Sequence, residues 1–580
     1  MLLKLVYNSL DKWEFLITAK QKDYNYKSSE FIDIFIYGYP FNHKTEKWIT
    51  PEFISENYKN NDWSFIENTE GVYSIVILDK KTGKCHIIVD RYGIYSLFYS
   101  ITEKEIIISN KIIEILQDTK NAKLNKESII EYLNFGYKIG NKTHFQNIFE
   151  FEAANTYIID KELNMLEKSY WNIFDSNNKS IDYKNFTNVF NQHQNTALKL
   201  EEKIALPLTG GRDTRTILSA CLQKKENLNC YTHGPRYHTD IMLAKKICNH
   251  FSLKHNKYLL NRKWIKTIDT RIEGNTDIFN GLNSFLDYLH VKKSLKKEEK
   301  NGELFLSGIL GNQLFRNHPI GNRHSNSLDL DKNADFIFKN IPSMLFFKSD
   351  LSGIYKKLFK NYSCENFHTD IKNSIKKELA KAQNIEKPED FAQYFLYKTY
   401  CSNVASNSLK FTGKYFKVFA SFFHRDLLKQ IKYIPLNERV SAQAQINIIS
   451  KNNKYLSSLS YYNSGRIVKY IKLISNMITQ KIFKINIFSD PNLVNYGNWL
   501  INHHKDFVID ILNYENIETK ELFNKEEFEK FTSIFLKNKF QIKSKKHILF
   551  KFSLDKFMIN FISLELWLKE LKKNKIDFNF

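Results

Sequence analysis

The sequence predicts two folded regions of different class. An N-terminal antiparallel, β-rich α+β region precedes an α/β region built on a parallel sheet, with helical additions toward the C-terminus. Three observations carry this. Short apolar strands at 32–38, 72–78 and 85–89 follow one another closely, the last two joined by the turn Asp79-Lys80-Lys81-Thr82-Gly83-Lys84; strands joined in this way build layered antiparallel sheets. A strand, a glycine turn and a helix run together in KIALPLTGGRDTRTILSACL, residues 203–222. Beyond it strands alternate with helical patterns, which implies a parallel sheet whose ligands bind at the carboxyl ends of its strands.

In the first region, apolar residues crowd both faces of the strands at 32–38 and 72–78. Ile129, Tyr132 and Leu133 mark a short helix, while Thr143, Phe145 and Ile148 lead into a further strand. Tyr170-Trp171 closes the region, and the polar run 175–180 reads as a linker. In the second region a strand is expected over 204–208 and a helix opening near Arg215, with Ile217, Ala220 and Cys221 on one face. A short strand follows at 228–232. A helix from about Asp240 then carries Ile241, Ala244, Cys248 and Phe251 on one face, before a strand at 257–260. Residues 330–580 are mainly helical, and Leu564, Trp567, Leu568 and Leu571 share one core face.

Composition narrows the function classes. At 580 residues the chain holds two or three domains with substantial cores, and 42% apolar with 15% aromatic residues argues against disorder. There is no run of eighteen uncharged apolar residues, and MLLKLVYNSLDKW has too short an apolar core for a signal peptide. The expectation is a cytoplasmic protein without a membrane partner. Cysteines at 85, 221, 230, 248, 364 and 401 form no C-x-x-C pair and read as small buried hydrophobes in a reducing compartment. The net charge of +23 is spread as Lys beside Asn and Ile, with no Arg-rich stripe. It predicts no specific nucleic-acid partner.

The chemistry concentrates in Thr209-Gly210-Gly211-Arg212-Asp213-Thr214. Adjacent glycines let backbone N–H groups approach a ligand closely, and the following helix N-terminus adds donors and a positive dipole. Such a turn suits phosphate or pyrophosphate. Thr209 and Thr214 add hydroxyls, Asp213 offers a hard oxygen ligand to Mg²⁺ on that anion, and Arg212 and Arg215 either add charge or face solvent. There is no G-x-x-x-x-G-K-[ST]. The bland alternative is an ordinary strand-to-helix turn.

The same string resembles the Ser-Gly-Gly-x-Asp-Ser loop of ATP pyrophosphatases, which cleave ATP between the α and β phosphates. Residues 70–100 resemble the core of class II glutamine amidotransferase domains, with Asp90-Arg91-Tyr92-Gly93 and Leu97-Phe98-Tyr99 in the signature places and 106–116 as the next strand and helix start. Residues 124–160 are similar to the segment joining the halves of asparagine synthetase B. CYTHGPRYHTDIMLAKKICNHFSLKH resembles that family's second adenosine-side strand, which implies Tyr231 and Thr232 near the adenine. Residues 303–316 match its Leu-Ser-Gly strand and turn through Ser307, Gly308 and Gly311. Together these places resemble asparagine synthetase B over nearly the whole chain. The resemblance implies a class II amidotransferase-like β-sandwich at 1–170 and an ATP-dependent adenylating domain at 182–580. It implies ATP and Mg²⁺ as cofactors, with Asp213 as catalytic metal ligand and Thr209, Gly210, Gly211, Arg212, Thr214, Tyr231, Thr232, Ser307, Gly308 and Gly311 around the nucleotide. The substrates it implies are a small-molecule or peptide carboxylate and an amine, and it allows a homodimer.

Several residues depart from the family pattern. Ile309, Asn312 and Gln313 stand where acids are expected, Ala153-Ala154 replaces Pro-Gly, and His424 replaces an acid. Lys451 and Lys454 fit poorly as the family's later lysine. Leu2 follows Met1 where the glutaminase needs a cysteine with a free α-amine. The expectation is an amide-forming ligase that does not take its amine from its own glutaminase. A glutamine-dependent synthetase and a noncatalytic nucleotide binder stay open beside it.

Overall fold

The computed structural model describes residues 2–580 apart from 9–11, 19–24, 120–121, 176–179, 235, 237, 261–263, 265, 268–271, 273, 318–319, 341–354, 361–363, 460–495 and 538–544. Most of the expected linker at 175–180 therefore lies outside the described residues. The N-terminal strands are β1 (Leu2–Asn8), β2 (Lys12–Thr18), β3 (Asn25–Ser28), β4 (Ile32–Asn42), β5 (Lys47–Trp48), β6 (Thr69–Asp79), β7 (Lys84–Val89), β8 (Phe98–Ile101), β9 (Glu105–Ser109), β10 (Ala122–Lys123), β11 (Phe149–Glu150), β12 (Asn155–Ile159) and β13 (Met165–Ser169). One antiparallel sheet runs β11-β8-β9-β1-β2 and the other β13-β12-β7-β6-β4-β3, with β5 on β4.

Alternation along β4, β6 and β7 explains why both faces of these strands are apolar. Phe35, Val76, Leu78, Ile87 and Val89 point toward Leu3, Tyr99, Ile106 and Ile108 of the other sheet and form the core between the two. Ile32, Ile34, Ile36, Tyr73, Ile75 and Ile77 point the opposite way, into a second core with Ile54 of the helix Pro51–Lys59 and Phe65. The expected layered antiparallel region is therefore two sheets with a helix on the outer face.

The second region holds β14 (Ile204–Pro207), β15 (Leu228–Gly234), β16 (Lys254–Leu259), β17 (Leu304–Ser307) and β18 (Lys417–Ala420). They form one parallel sheet in the order β16-β15-β14-β17-β18. The chain winds outward from β14 in one direction, then restarts on its other side with β17. Neighbouring loops leave β14 and β17 in opposite directions there, and such a switch point opens a crevice at the strand ends. The helix Tyr183–Leu200 enters this region behind Asp182, whose carboxylate accepts from the Lys184 and Asn185 N–H groups at 2.8 and 3.2 Å. Asp182→Ala is expected to cost about 1 kcal/mol in a urea titration, the usual cost of removing such a cap.

The two regions meet along a buried seam, and the Asp90-Arg91-Tyr92-Gly93 motif builds it. Asp90 accepts from the Tyr73, Tyr92 and Ile94 N–H groups at 2.8, 2.6 and 3.2 Å, which pins the turn. Arg91 pairs at 3.1 Å with Glu70, itself wholly buried. Tyr92 stacks on Phe423 at 4.0 Å and donates to its carbonyl, while Tyr397 donates to the Arg91 carbonyl. The helix Lys545–Lys573 also crosses to the N-terminal region, where the Tyr132 hydroxyl donates to the Asn560 carbonyl at 3.1 Å. Leu564, Trp567, Leu568 and Leu571 are fully buried, as their spacing predicts. No helix of the described residues is long and apolar enough to cross a membrane.

Candidate functional site

The loops after β14 and β17 lie side by side at the switch point. The helix expected near Arg215 begins at Arg212, with Gly211 as its cap (φ −68°, ψ 161°). Its first turn is partly exposed and carries no apolar periodicity, which is why the spacing of Ile217, Ala220 and Cys221 places the start three residues late. Asp213 and Thr214 are thus first-turn residues, at the positive end of the helix dipole.

The loop is tied down internally. The Thr214 hydroxyl accepts from the Thr209 N–H at 3.1 Å and lies 3.1 Å from the Thr209 hydroxyl, which accepts from the Gly211 N–H at 3.0 Å. The Gly210 N–H donates to the Asp240 carboxylate at 3.0 Å, and the Gly210 carbonyl accepts from Arg215 Nη2 at 2.6 Å. A Cβ on Gly210 would come within 2.6 Å of Leu243 Cδ1 and 3.1 Å of its Cβ, so glycine lets the helix Thr239–Phe251 pack on the loop without displacing that side chain. Arg215 is fully buried and braces the loop, donating to the Leu459 carbonyl at 2.9 Å as well. It does not face solvent.

Asp213 reaches across to the second loop. A Cβ on Gly311 would lie 2.6 Å from Asp213 Oδ1, and one on Gly308 would lie 3.5 Å from its Cβ. Gln445 of the helix Gln443–Asn452 donates to Asp213 Oδ1 at 2.6 Å. By surface area Asp213 is only partly buried, yet enough protein surrounds it that burial pushes its carboxyl up to about 6, against opposing effects of Gln445, Arg316 and Arg212. Arg316 ends the short helix Gly311–Arg316, and its Nη1 donates to Asn312 Oδ1 at 2.5 Å. The Ser307 hydroxyl accepts from the Ile309 N–H at 3.3 Å and shapes the turn. Leu310 adopts φ 67°, a left-handed conformation uncommon for a leucine.

Thr209, Gly210, Gly211, Arg212, Asp213, Thr214, Ser307, Gly308 and Gly311 therefore lie close together at the switch point. The adenine-side pair behaves differently. Tyr231 is 2% exposed and packs edge-on against Tyr258, so its side chain belongs to the core. Thr232 is also buried; its hydroxyl donates to the Leu208 carbonyl at 2.6 Å and fastens the glycine loop to β15. Three residues of the site have no signal around the loop motif itself: Asp240, Arg316 and Gln445. His424, outside the site, caps the helix Arg425–Ile431 by accepting from the Asp426 N–H at 3.3 Å.

No group of three or more His, Cys, Asp or Glu suited to a metal occurs among the described residues. A Mg²⁺ ion that arrives on a polyphosphate needs only one or two protein carboxylates, and Asp213 meets that requirement. The oxygen of Asn312 is already engaged by Arg316.

The chain is similar to known proteins in both regions. Residues 41–171 match the glutamine amidotransferase domain family. A protein of Methanocaldococcus jannaschii, named as a candidate glutamine-hydrolysing asparagine synthetase, is 22% identical over 443 residues, 73% of this chain and 81% of its own length. Among solved structures, the ammonia-dependent NAD synthetase of Campylobacter jejuni is 13% identical, with a TM-score of 0.20 over 36% of this chain and all of that one. The glutamine phosphoribosylpyrophosphate amidotransferase of B. subtilis is 10% identical, with a TM-score of 0.17 over 50% of this chain and 59% of that one. The domain match and the relative that spans both regions make this chain similar to asparagine synthetases.

Proposed function

We propose that this protein is an ATP-dependent ligase that adenylates a carboxylate and then forms an amide with an amine it does not release from glutamine itself. The observation that carries the reading is the convergence of the 209–214 loop and the 308–311 loop on Asp213 at the sheet's switch point. The Gly211 edge of the first loop is exposed, and the N-terminus of the helix Arg212–Cys221 faces an anion placed there. The groups this chain offers to a nucleotide's phosphates are the Thr209 hydroxyl, the loop amides and the flanking guanidinium groups. Asp213 is the ligand for Mg²⁺, which when bound neutralises charge on the leaving pyrophosphate. The chemistry is positioning and electrostatics, with no covalent step assigned to a side chain.

The cysteines support an amine from elsewhere. Glutamine hydrolysis of this class requires an accessible thiolate. Five of the six cysteines, Cys85, Cys221, Cys230, Cys248 and Cys401, are buried, and burial pushes the Cys85, Cys221 and Cys401 thiols up. A second reading, a noncatalytic nucleotide binder, is favoured by the neutral side chain of Asn312 in the second loop, which is held by Arg316.

ATP–pyrophosphate exchange over a panel of small and peptide carboxylates separates the two. Label passing from pyrophosphate into ATP with one class of carboxylate is the expected result. Intact ATP binding with no exchange for any carboxylate would favour the noncatalytic reading.

A further inference from the structure

The second loop joins a neutral amide to a guanidinium close to Asp213. Where a carboxylate is expected the chain has Asn312, and four residues later, at the end of the same short helix, it has Arg316. The two side chains are joined, with Arg316 Nη1 donating to Asn312 Oδ1 at 2.5 Å. Arg316 Nε is buried with no hydrogen-bond partner, and Arg316 makes no ion pair among the described residues. Arg316 also feels the charges of Asp213 and Arg212, one attractive and one repulsive. Two guanidinium groups thus flank a single carboxylate at the mouth of an anion-type loop.

We propose that Arg316 is a polyphosphate-binding residue, a fixed cation that takes the place of a metal-recruiting carboxylate, so that nucleotide binding here does not require a divalent ion. The argument is one of charge and geometry. Two partly buried guanidinium groups with one carboxylate between them leave positive charge uncompensated, and a phosphate offsets it together with the repulsion between Arg212 and Arg316. A guanidinium also presents a planar fork that fits two phosphate oxygens, where a metal would have to be captured from solution with its waters. Asn312 suits this role because an amide oxygen orients the fork without neutralising it. A carboxylate at 312 would pair with Arg316 and cancel the charge. The proposal rests on the nucleotide reading above.

The test is calorimetric titration of ATP, and separately of pyrophosphate, into the full chain in EDTA and in excess Mg²⁺. The wild-type affinity in EDTA is expected to stay within about threefold of that in Mg²⁺. Arg316→Gln is expected to weaken binding in EDTA by at least about tenfold, or about 1.4 kcal/mol. The double variant Asn312→Asp/Arg316→Gln restores a carboxylate and is expected to bind only when Mg²⁺ is present. Arg316→Lys, which keeps the charge without the fork, should fall between wild type and Arg316→Gln, and serves if the glutamine variant does not fold. Loss of wild-type binding in EDTA with tight binding in Mg²⁺ would overturn the proposal while leaving the nucleotide reading intact. Unchanged affinity of Arg316→Gln in EDTA would overturn it too. Absence of wild-type binding in both buffers would overturn the nucleotide reading itself, and the proposal with it.

Discussion

Asp213→Asn is expected to lower ATP–pyrophosphate exchange by at least about 100-fold, about 2.7 kcal/mol of transition-state stabilisation. The substitution keeps the side chain's shape and keeps an Oδ1 to accept from Gln445, so the loops should hold their positions. It removes only the charge. That charge is costly to the fold, because burial pushes the Asp213 carboxyl up to about 6. An acid raised in the folded state contributes stability that is present at low pH and lost as pH rises through the folded value. At pH 8 the asparagine variant should therefore melt no lower than wild type, and by this argument slightly higher. Inactivity with undiminished stability is the signature of a residue kept for its chemistry. Exchange at the wild-type rate would show the loop to be a structural turn.

Arg91→Ala is expected to destabilise the protein by about 3–5 kcal/mol in urea unfolding, the usual cost of leaving one partner of a buried pair alone. Glu70 is wholly buried, and after the substitution its nearest remaining cation among the described residues is Arg425, at 3.9 Å. Two further bonds are lost with it, from Arg91 Nη1 to the Thr69 carbonyl at 2.7 Å and from Nη2 to the Glu67 carbonyl at 3.0 Å. Burial already pushes the Glu70 carboxyl up, with Arg91 the largest opposing influence. Removing that influence raises it further. The deficit should shrink as pH falls, because the folded protein can then protonate Glu70, and grow as pH rises. Adding Glu70→Gln to the arginine variant should recover part of the loss. A double variant no more stable than Arg91→Ala would place the cost in the lost carbonyl contacts instead.

The parts of this structure that were legible in the sequence are those whose causes are local. Strands β4 and β6 could be read because apolar residues on both faces leave no other use for them, and the cores on either side of that sheet take up most of them, while Phe41 and Val72 join the large core shared with the second region. The glycine loop was legible because small residues at a turn let neighbouring elements pack closely, as Gly210 does beneath Leu243 and Gly311 beside Asp213. The start of the helix at Arg212 was not, since its first turn is partly exposed and leaves no periodic trace. Tyr231 shows the limit of matching residue to role. It stands in the place that resemblance assigns to the adenine, while its side chain turns into the core beside Tyr258. Gln445 and Arg316 lie 232 and 103 positions from Asp213 along the chain, and no local pattern announces contacts made by folding distant segments together.

The central claim is that the loops after β14 and β17 form one pyrophosphate site. Hydrogen exchange of the full chain with and without pyrophosphate tests it most directly, because it reports on both loops in one experiment and does not depend on knowing the carboxylate or the amine. The account predicts slowed exchange at 208–215 and at 308–316 together, with little change in the N-terminal sheets. Protection of neither segment at saturating pyrophosphate, or protection confined to another part of the molecule, would contradict it.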